Sequence, residues 1–316
     1  MIRNHRQSRE HGSQTLSVVP TDLQISVGSV TEAAGRQSNE DAVLVTQLPE
    51  AEPGGGPGFL LAVADGMGGL ERGEVASHLA IDLLNDLFAR DRPEDVAQAL
   101  KQAYRRANDA IYRQSIDNPQ SGGMGTTLVS AVIHGKYATI ANVGDSRAYL
   151  IRADQLTQVT QDHSVVADRV AKGELREEDA RSSPQRNLLT QALGTHPSLD
   201  RRMPSIYELM LLPEDRLLLC SDGFFDVLQP GDYVGTVMID DPQGSAARLA
   251  TLATERGTTD NVSAIVVAVS PSSATIQRER IGAEIAQQRG VSPLLVPILL
   301  LLILVIAILV GAFVYL

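Results

Sequence analysis

Cysteine is nearly missing from this chain: its 316 residues include one, Cys220, and no tryptophan at all. A lone thiol excludes a disulfide within the chain and any zinc site built on cysteines. Set in Leu217-Leu-Leu-Cys220, it reads as a buried, inert side chain. Blocks of Lys and Arg are missing too. With a net charge of −11, the chain lacks the basic footprint that nucleic-acid phosphates require. Residues 1–20 have no apolar core of the kind a secretory signal needs, and carry Arg3, Arg6 and Arg9. A flexible tail over residues 1–22 is the expectation. Internal repeats and heptads are also absent.

One absence points the other way. From Leu294 to Leu316 there is no charged side chain, and only Pro297 and Gly311 interrupt the apolar run. About 20 helical residues cross a bilayer's hydrocarbon core, and this run is apolar all round. A transmembrane helix over 293–316 is therefore expected, after a polar linker over 271–292. Arg278, Arg280 and Arg289 precede it, which favours a cytoplasmic side for the rest of the chain. The expected location is the cell membrane, through a single-pass C-terminal anchor.

Between tail and linker the composition is globular, 43% hydrophobic and 21% charged over the whole chain. Strand signals fall at 23–28, 41–46, 59–64, 127–133, 137–143, 147–151, 156–160, 216–221 and 262–269. Two amphipathic helices follow the third strand. The first places Val75, Leu79, Leu83 and Leu87 on one face. The second opens at Pro93 and runs its stripe through Val96, Leu100, Ala103, Ala107 and Ile111, stopping at Asn118-Pro119. Another helix is expected near 245–256. Residues 161–205 are polar and weakly periodic, an excursion from the core. Helices clustered between blocks of strands argue for α+β with antiparallel sheet.

Four aspartates stand at the ends of these apolar strands: Asp65, Asp145, Asp222 and Asp260. A carboxylate at the mouth of a buried strand is costly unless something pairs with it. One Asp-Gly is ordinarily a turn, but four Asp sites with apolar strands beside them exceed what turns require. If antiparallel neighbours alternate direction, these aspartates converge on one edge of a sheet. Carboxylates without matching histidines favour Mg2+ or Mn2+. Two such ions can acidify a water and aim it at phosphorus. An arginine fork is then needed for the phosphate oxygens, and Arg36 is the candidate.

Arg36-Gln-Ser-Asn-Glu-Asp41, Asp65-Gly-Met-Gly-Gly69, Gly125-Thr-Thr-Leu128, Gly144-Asp-Ser-Arg147, Ser221-Asp-Gly223 and Asp260-Asn261 occur in that order. Together they resemble the bacterial form of the metal-dependent protein phosphatase family, type 2C, over residues 23–270. The resemblance implies a four-layer αββα sandwich of two antiparallel sheets flanked by helix pairs. It implies hydrolysis of phosphoserine and phosphothreonine in proteins by a water bridging two Mn2+ or Mg2+ ions, in opposition to Ser/Thr kinases. Asp65 would bridge both ions, with the Gly66 carbonyl on one and Asp222 and Asp260 on the other. Asp145 would join Asp222 at a third, weaker ion. Glu40 would act near the second metal through water, Asp41 would lend support, and Arg36 would hold the phosphate. Residues 161–205 match the flap beside the site. One position departs from the eukaryotic pattern: Met67 stands where a histidine is the proposed general acid, and a thioether cannot donate a proton. His163 is weighed as a substitute, with a structural or exposed role as the stronger expectation. Membrane Ser/Thr kinases and their targets are the expected partners.

Overall fold

The computed structural model describes residues 23–49, 58–68, 72–90, 93–117 and 123–272. The expected tail, nearly all of the linker and the expected anchor at 293–316 lie outside these residues. Among the described residues no helix is long and apolar enough to cross a membrane.

Two antiparallel sheets face each other. The first orders β1 (Leu23–Glu32), β11 (Val262–Pro271), β10 (Arg216–Cys220), β7 (Arg147–Arg152) and β8 (Gln155–Gln158). The second orders β2 (Asp41–Leu48), β3 (Gly58–Met67), β5 (Leu128–His134), β6 (Tyr137–Val143) and β9 (Ser205–Met210), with the short β4 (Gly125–Thr126) beside β3. Helices α1 (Arg72–Arg90) and α2 (Val96–Asp117) cover the second sheet. Helices α5 (Asp222–Phe225), α6 (Pro230–Val237) and α7 (Pro242–Glu255) cover the first. Two short helices, α3 (Val165–Ala171) and α4 (Glu177–Ala180), belong to the excursion.

The central strands read as continuous apolar runs because both of their faces are buried. Side chains alternate across a strand. In β3, Leu61 and Val63 point into the space between the sheets, where they meet Leu217, Leu219, Ile265 and Val267. Leu60, Ala62 and Ala64 point the other way, toward α1 and α2. In β10, Leu218 and Cys220 pack instead against α7. Cys220 is fully buried, and burial pushes its thiol pKa up to about 12. The expected inert thiol is what the fold contains.

The helices needed correction in register. In α1 the buried stripe is Ala76, Ala80, Leu84 and Phe88, while Leu79, Leu83 and Leu87 are half-buried at its flank and Val75 is exposed. Ala76 and Ala80 take the inner face in the first half of the helix because their small side chains let its axis approach the sheet. Helix α2 starts at Val96, and Asp95 caps it by accepting from the Gln98 amide (2.9 Å). Its stripe includes Tyr104, whose hydroxyl meets the carbonyls of Leu128 (3.2 Å) and Ala141 (2.8 Å) and the Ser130 hydroxyl (2.9 Å). Strand β9 and helix α6 have no counterpart in the sequence reading. Helix α7 begins three residues before the expected start, with Asp241 accepting from the amides of Gln243 and Gly244.

Candidate metal centre

Register brings the aspartates together. Asp65 near the end of β3 sits opposite Asp41 at the start of β2. Leu128 at the start of β5 sits opposite Val143 at the end of β6, which delivers Asp145 beside Thr127. In the other sheet Cys220 pairs with Ala264, so Asp222 after β10 meets Asp260 before β11. The expected convergence on one sheet edge is thus corrected: both sheets contribute, at the same end of the sandwich.

Each segment is held by its own hydrogen bonds. The Asp65 amide donates to Thr127 Oγ1 (3.0 Å), and that hydroxyl also meets Ser146 Oγ (2.7 Å). The Asp65 carbonyl accepts from the Thr127 amide (2.9 Å) and from Thr126 Oγ1 (2.9 Å). Gly66 is obligatory for a steric reason: a β-carbon there would run into the Gly73 carbonyl at the start of α1 and the Glu40 carbonyl. The Glu40 carbonyl is itself gripped by the Gly66 amide (3.2 Å) and Ser77 Oγ (2.6 Å). Asn261 donates to the carbonyls of Ala33 (3.0 Å) and Ser38 (2.8 Å) and accepts from the Glu40 amide (2.9 Å). Asp41 is buried and accepts from Ser221 Oγ (2.8 Å), so it supports the site from behind.

Arg36 has a partner within the cluster. Its Nη2 donates to Asp260 Oδ2 (2.7 Å) and its Nε to the Thr259 carbonyl (3.1 Å). Asp260 Oδ1 accepts from the Asn261 amide (2.8 Å). Among the described residues no three acidic, histidine or cysteine groups close on one point as a finished metal cage.

The electrostatics show what the cluster lacks. Burial, then the neighbouring carboxylates, holds the Asp65 and Asp222 pKa values well above the ordinary range. Asp41 is raised to about 6 by burial. Asp145 is raised to about 7 by burial and then by Asp162, with Arg147 opposing. Burial also lifts Glu40. Asp222 Oδ1 and Asp41 Oδ1 are buried and make no hydrogen bond among the described residues. Buried, mutually repelling, unsatisfied carboxylate oxygens are the environment that a hard divalent cation relieves, and the donor set is oxygen alone. The residues present fit Mg2+ or Mn2+.

All seven residues singled out for the site (Arg36, Glu40, Asp65, Gly66, Asp145, Asp222 and Asp260) line one cleft of about 440 Å³. A second cavity of about 560 Å³ shares Arg36, Asp145, Asp222 and Asp260 and extends to Glu177 and Arg181 on and beside α4. His163 lines neither. Its Nδ1 accepts from the Gly144 amide (3.0 Å) and its Nε2 meets Ser205 Oγ (3.1 Å), so it braces the turn that carries Asp145. Burial lowers its pKa. What the sequence reading missed is the returning limb of the excursion: Leu189, Thr190, Thr195 and His196 line the cleft from the far side. Their only sequence signal is the Gly194 turn after Leu193, with no periodicity to mark them.

A four-layer sandwich with an acidic cleft at one end, whose candidate metal-holding donors are all oxygens, is the architecture of a divalent-metal site. The protein phosphatase 2C family model matches residues 25–175. The serine/threonine protein phosphatase PstP of Mycobacterium tuberculosis is 39% identical over 213 residues, covering 66% of this chain and 40% of that protein. The serine/threonine phosphatase stp of Listeria innocua is 35% identical over 197 residues, covering 61% of this chain and 75% of that one. The crystal structure of the PstP catalytic domain, in complex with two manganese ions, superposes with a TM-score of 0.68 at 34% identity. It covers 78% of this chain and 99% of that domain. The chain belongs to the protein phosphatase 2C family, and its described residues form the catalytic-domain fold of a metal-dependent serine/threonine protein phosphatase. It spans about 40% of the length of the mycobacterial relative.

Proposed function

We propose that this chain hydrolyses phosphoserine and phosphothreonine in proteins at the cleft containing Asp65, using two Mn2+ or Mg2+ ions. The observation that carries this is the convergence of all seven site residues, from both sheets, on one cleft. Asp65, the Gly66 carbonyl, Asp222 and Asp260 would hold the pair of ions, Asp145 with Asp222 would hold a third, and Glu40 would act through water. Bound ions would supply Lewis-acid polarisation of the phosphoryl group and a water of lowered pKa. Arg36 positions the phosphate: its Nη1 makes no hydrogen bond among the described residues, and Asp260 holds the guanidinium plane. The second cavity, reaching toward α4, is where the polypeptide flanking the phosphoresidue lies, which gives residues 161–205 their role in substrate selection.

The test is hydrolysis of a phosphoserine peptide with added manganese. Asp65→Ala and Asp222→Asn are expected to abolish turnover, and Arg36→Ala to raise KM. Full activity in either aspartate variant would remove the proposed site.

Tethering extends the proposal. An apolar run at 293–316 would hold the enzyme at the cytoplasmic face of the membrane and raise its effective concentration near membrane Ser/Thr kinases and their targets. Deleting 293–316 is expected to move the protein from the membrane fraction to the soluble one. Retention in the membrane would overturn the anchor.

A further inference from the structure

A seryl or threonyl oxygen leaving phosphorus needs a proton, and Met67 cannot give one. The wall of the cleft beside Met67 is built by the returning limb of the excursion. Met67 Cγ and Thr195 Cγ2 both pack over Gly125, 3.5 and 3.0 Å from where its side-chain carbon would stand. The next residue is His196, the one histidine among the described residues that line the cleft.

Its presentation is built rather than incidental. Asn108 of α2 is fully buried and grips the turn at both ends: its Oδ1 accepts from the Gly194 amide (2.9 Å) and its Nδ2 donates to the His196 carbonyl (3.2 Å). Gly194 has φ +81, and a β-carbon there would strike Ile111. The ring is oriented as well. Thr195 Oγ1 gives its only proton to the Ala192 carbonyl (2.9 Å), so at its contact with His196 Nδ1 (3.0 Å) it accepts. In this arrangement Nδ1 is the donor to Thr195 Oγ1. That leaves Nε2 as the nitrogen that exchanges a proton.

We propose that His196 is the proton donor to the leaving serine or threonine oxygen, with Thr195 as its positioning residue. The inference rests on the phosphatase reading. In the step, the ester P–O bond breaks and its electron pair stays on the seryl or threonyl oxygen, which takes the Nε2 proton of His196. A water oxygen forms the new bond to phosphorus, keeping one hydrogen on the product phosphate and losing the other to solvent. The imidazole then regains its proton from solvent.

A proton donor matters in proportion to how poor the leaving group is. The experiment compares a phosphoserine peptide with p-nitrophenyl phosphate, whose phenolate leaves without help, in the manganese-loaded full chain. For His196→Gln, kcat on the peptide is expected to fall about 100-fold, and on the aryl phosphate far less. Thr195→Val should lower the same ratio by a smaller factor. Equal losses on both substrates, or none on the peptide, would overturn the assignment to His196 while leaving the phosphatase reading intact. A wild-type chain inactive on both would overturn that reading and this one with it.

Discussion

Asn261 shows how much of the site depends on one side chain that touches no phosphate. Its amide joins the loop at Ala33 and Ser38 to the strand start at Glu40, while the neighbouring Asp260 holds Arg36. Asn261→Ala leaves the Ser38 carbonyl and the Glu40 amide without their partner, and leaves the Ala33 carbonyl with the Arg36 amide alone. The expected loss is about 2–3 kcal/mol of stability, together with a rise in KM as the Arg36 loop loosens. Denaturant unfolding and steady-state kinetics would measure both, and an unchanged midpoint would contradict the tether. The Asp260-Asn261 pair was legible in the sequence, with only Asp260 given a role. Nothing in sequence spacing tells that an amide at 261 will meet a loop more than 220 residues earlier.

Among the elements, α2 and the returning limb were read least well. The stripe at Leu100, Ala103, Ala107 and Ile111 identified the buried face, yet Tyr104 and Asn108 share it and carry polar bonds that hydrophobic spacing ignores. Tyr104→Phe would leave its contacts with the Leu128 and Ala141 carbonyls unmade inside the core. A loss of about 1–2 kcal/mol is expected, with little change in activity, because Tyr104 lines neither cavity. A large loss of activity at unchanged stability would show that α2 positions the cleft through this residue. Strand β9 escaped notice for a different reason: as the edge strand of its sheet it pairs with β6 alone, and no residue of it is buried.

At the scale of the molecule, the sandwich brings carboxylates from distant strands into mutual repulsion. The ordinary Asp value is 3.8, whereas Asp41 stands at about 6 and Asp145 at about 7. Without metal the folded chain binds more protons than the unfolded one across that window. Its stability contribution is present at low pH and is lost as pH rises through the folded values. The metal-free chain is therefore expected to melt at a lower temperature at about pH 7.5 than at about pH 5. Manganese should raise the melting temperature more at the higher pH, since cations bind the ionised carboxylates. Melting curves in chelator and in manganese would check this. A metal-free melting temperature that rises between the two pH values would contradict the repulsive cluster.

By itself the sequence determined the class of fold, because short apolar strand runs and clustered helical stripes report burial directly. It also singled out the carboxylates that line the cleft, because a carboxylate ending an apolar strand is conspicuous wherever the strand lies. Tertiary structure alone decided that both sheets, not one edge, supply those carboxylates. It decided that Arg36 rests on Asp260, that His163 braces a turn, and that His196 lines the cleft. Each of those depends on register between strands and on loops crossing the end of the sandwich. Local pattern carries no record of such long-range contacts, since the chain meets them only once the layers have packed.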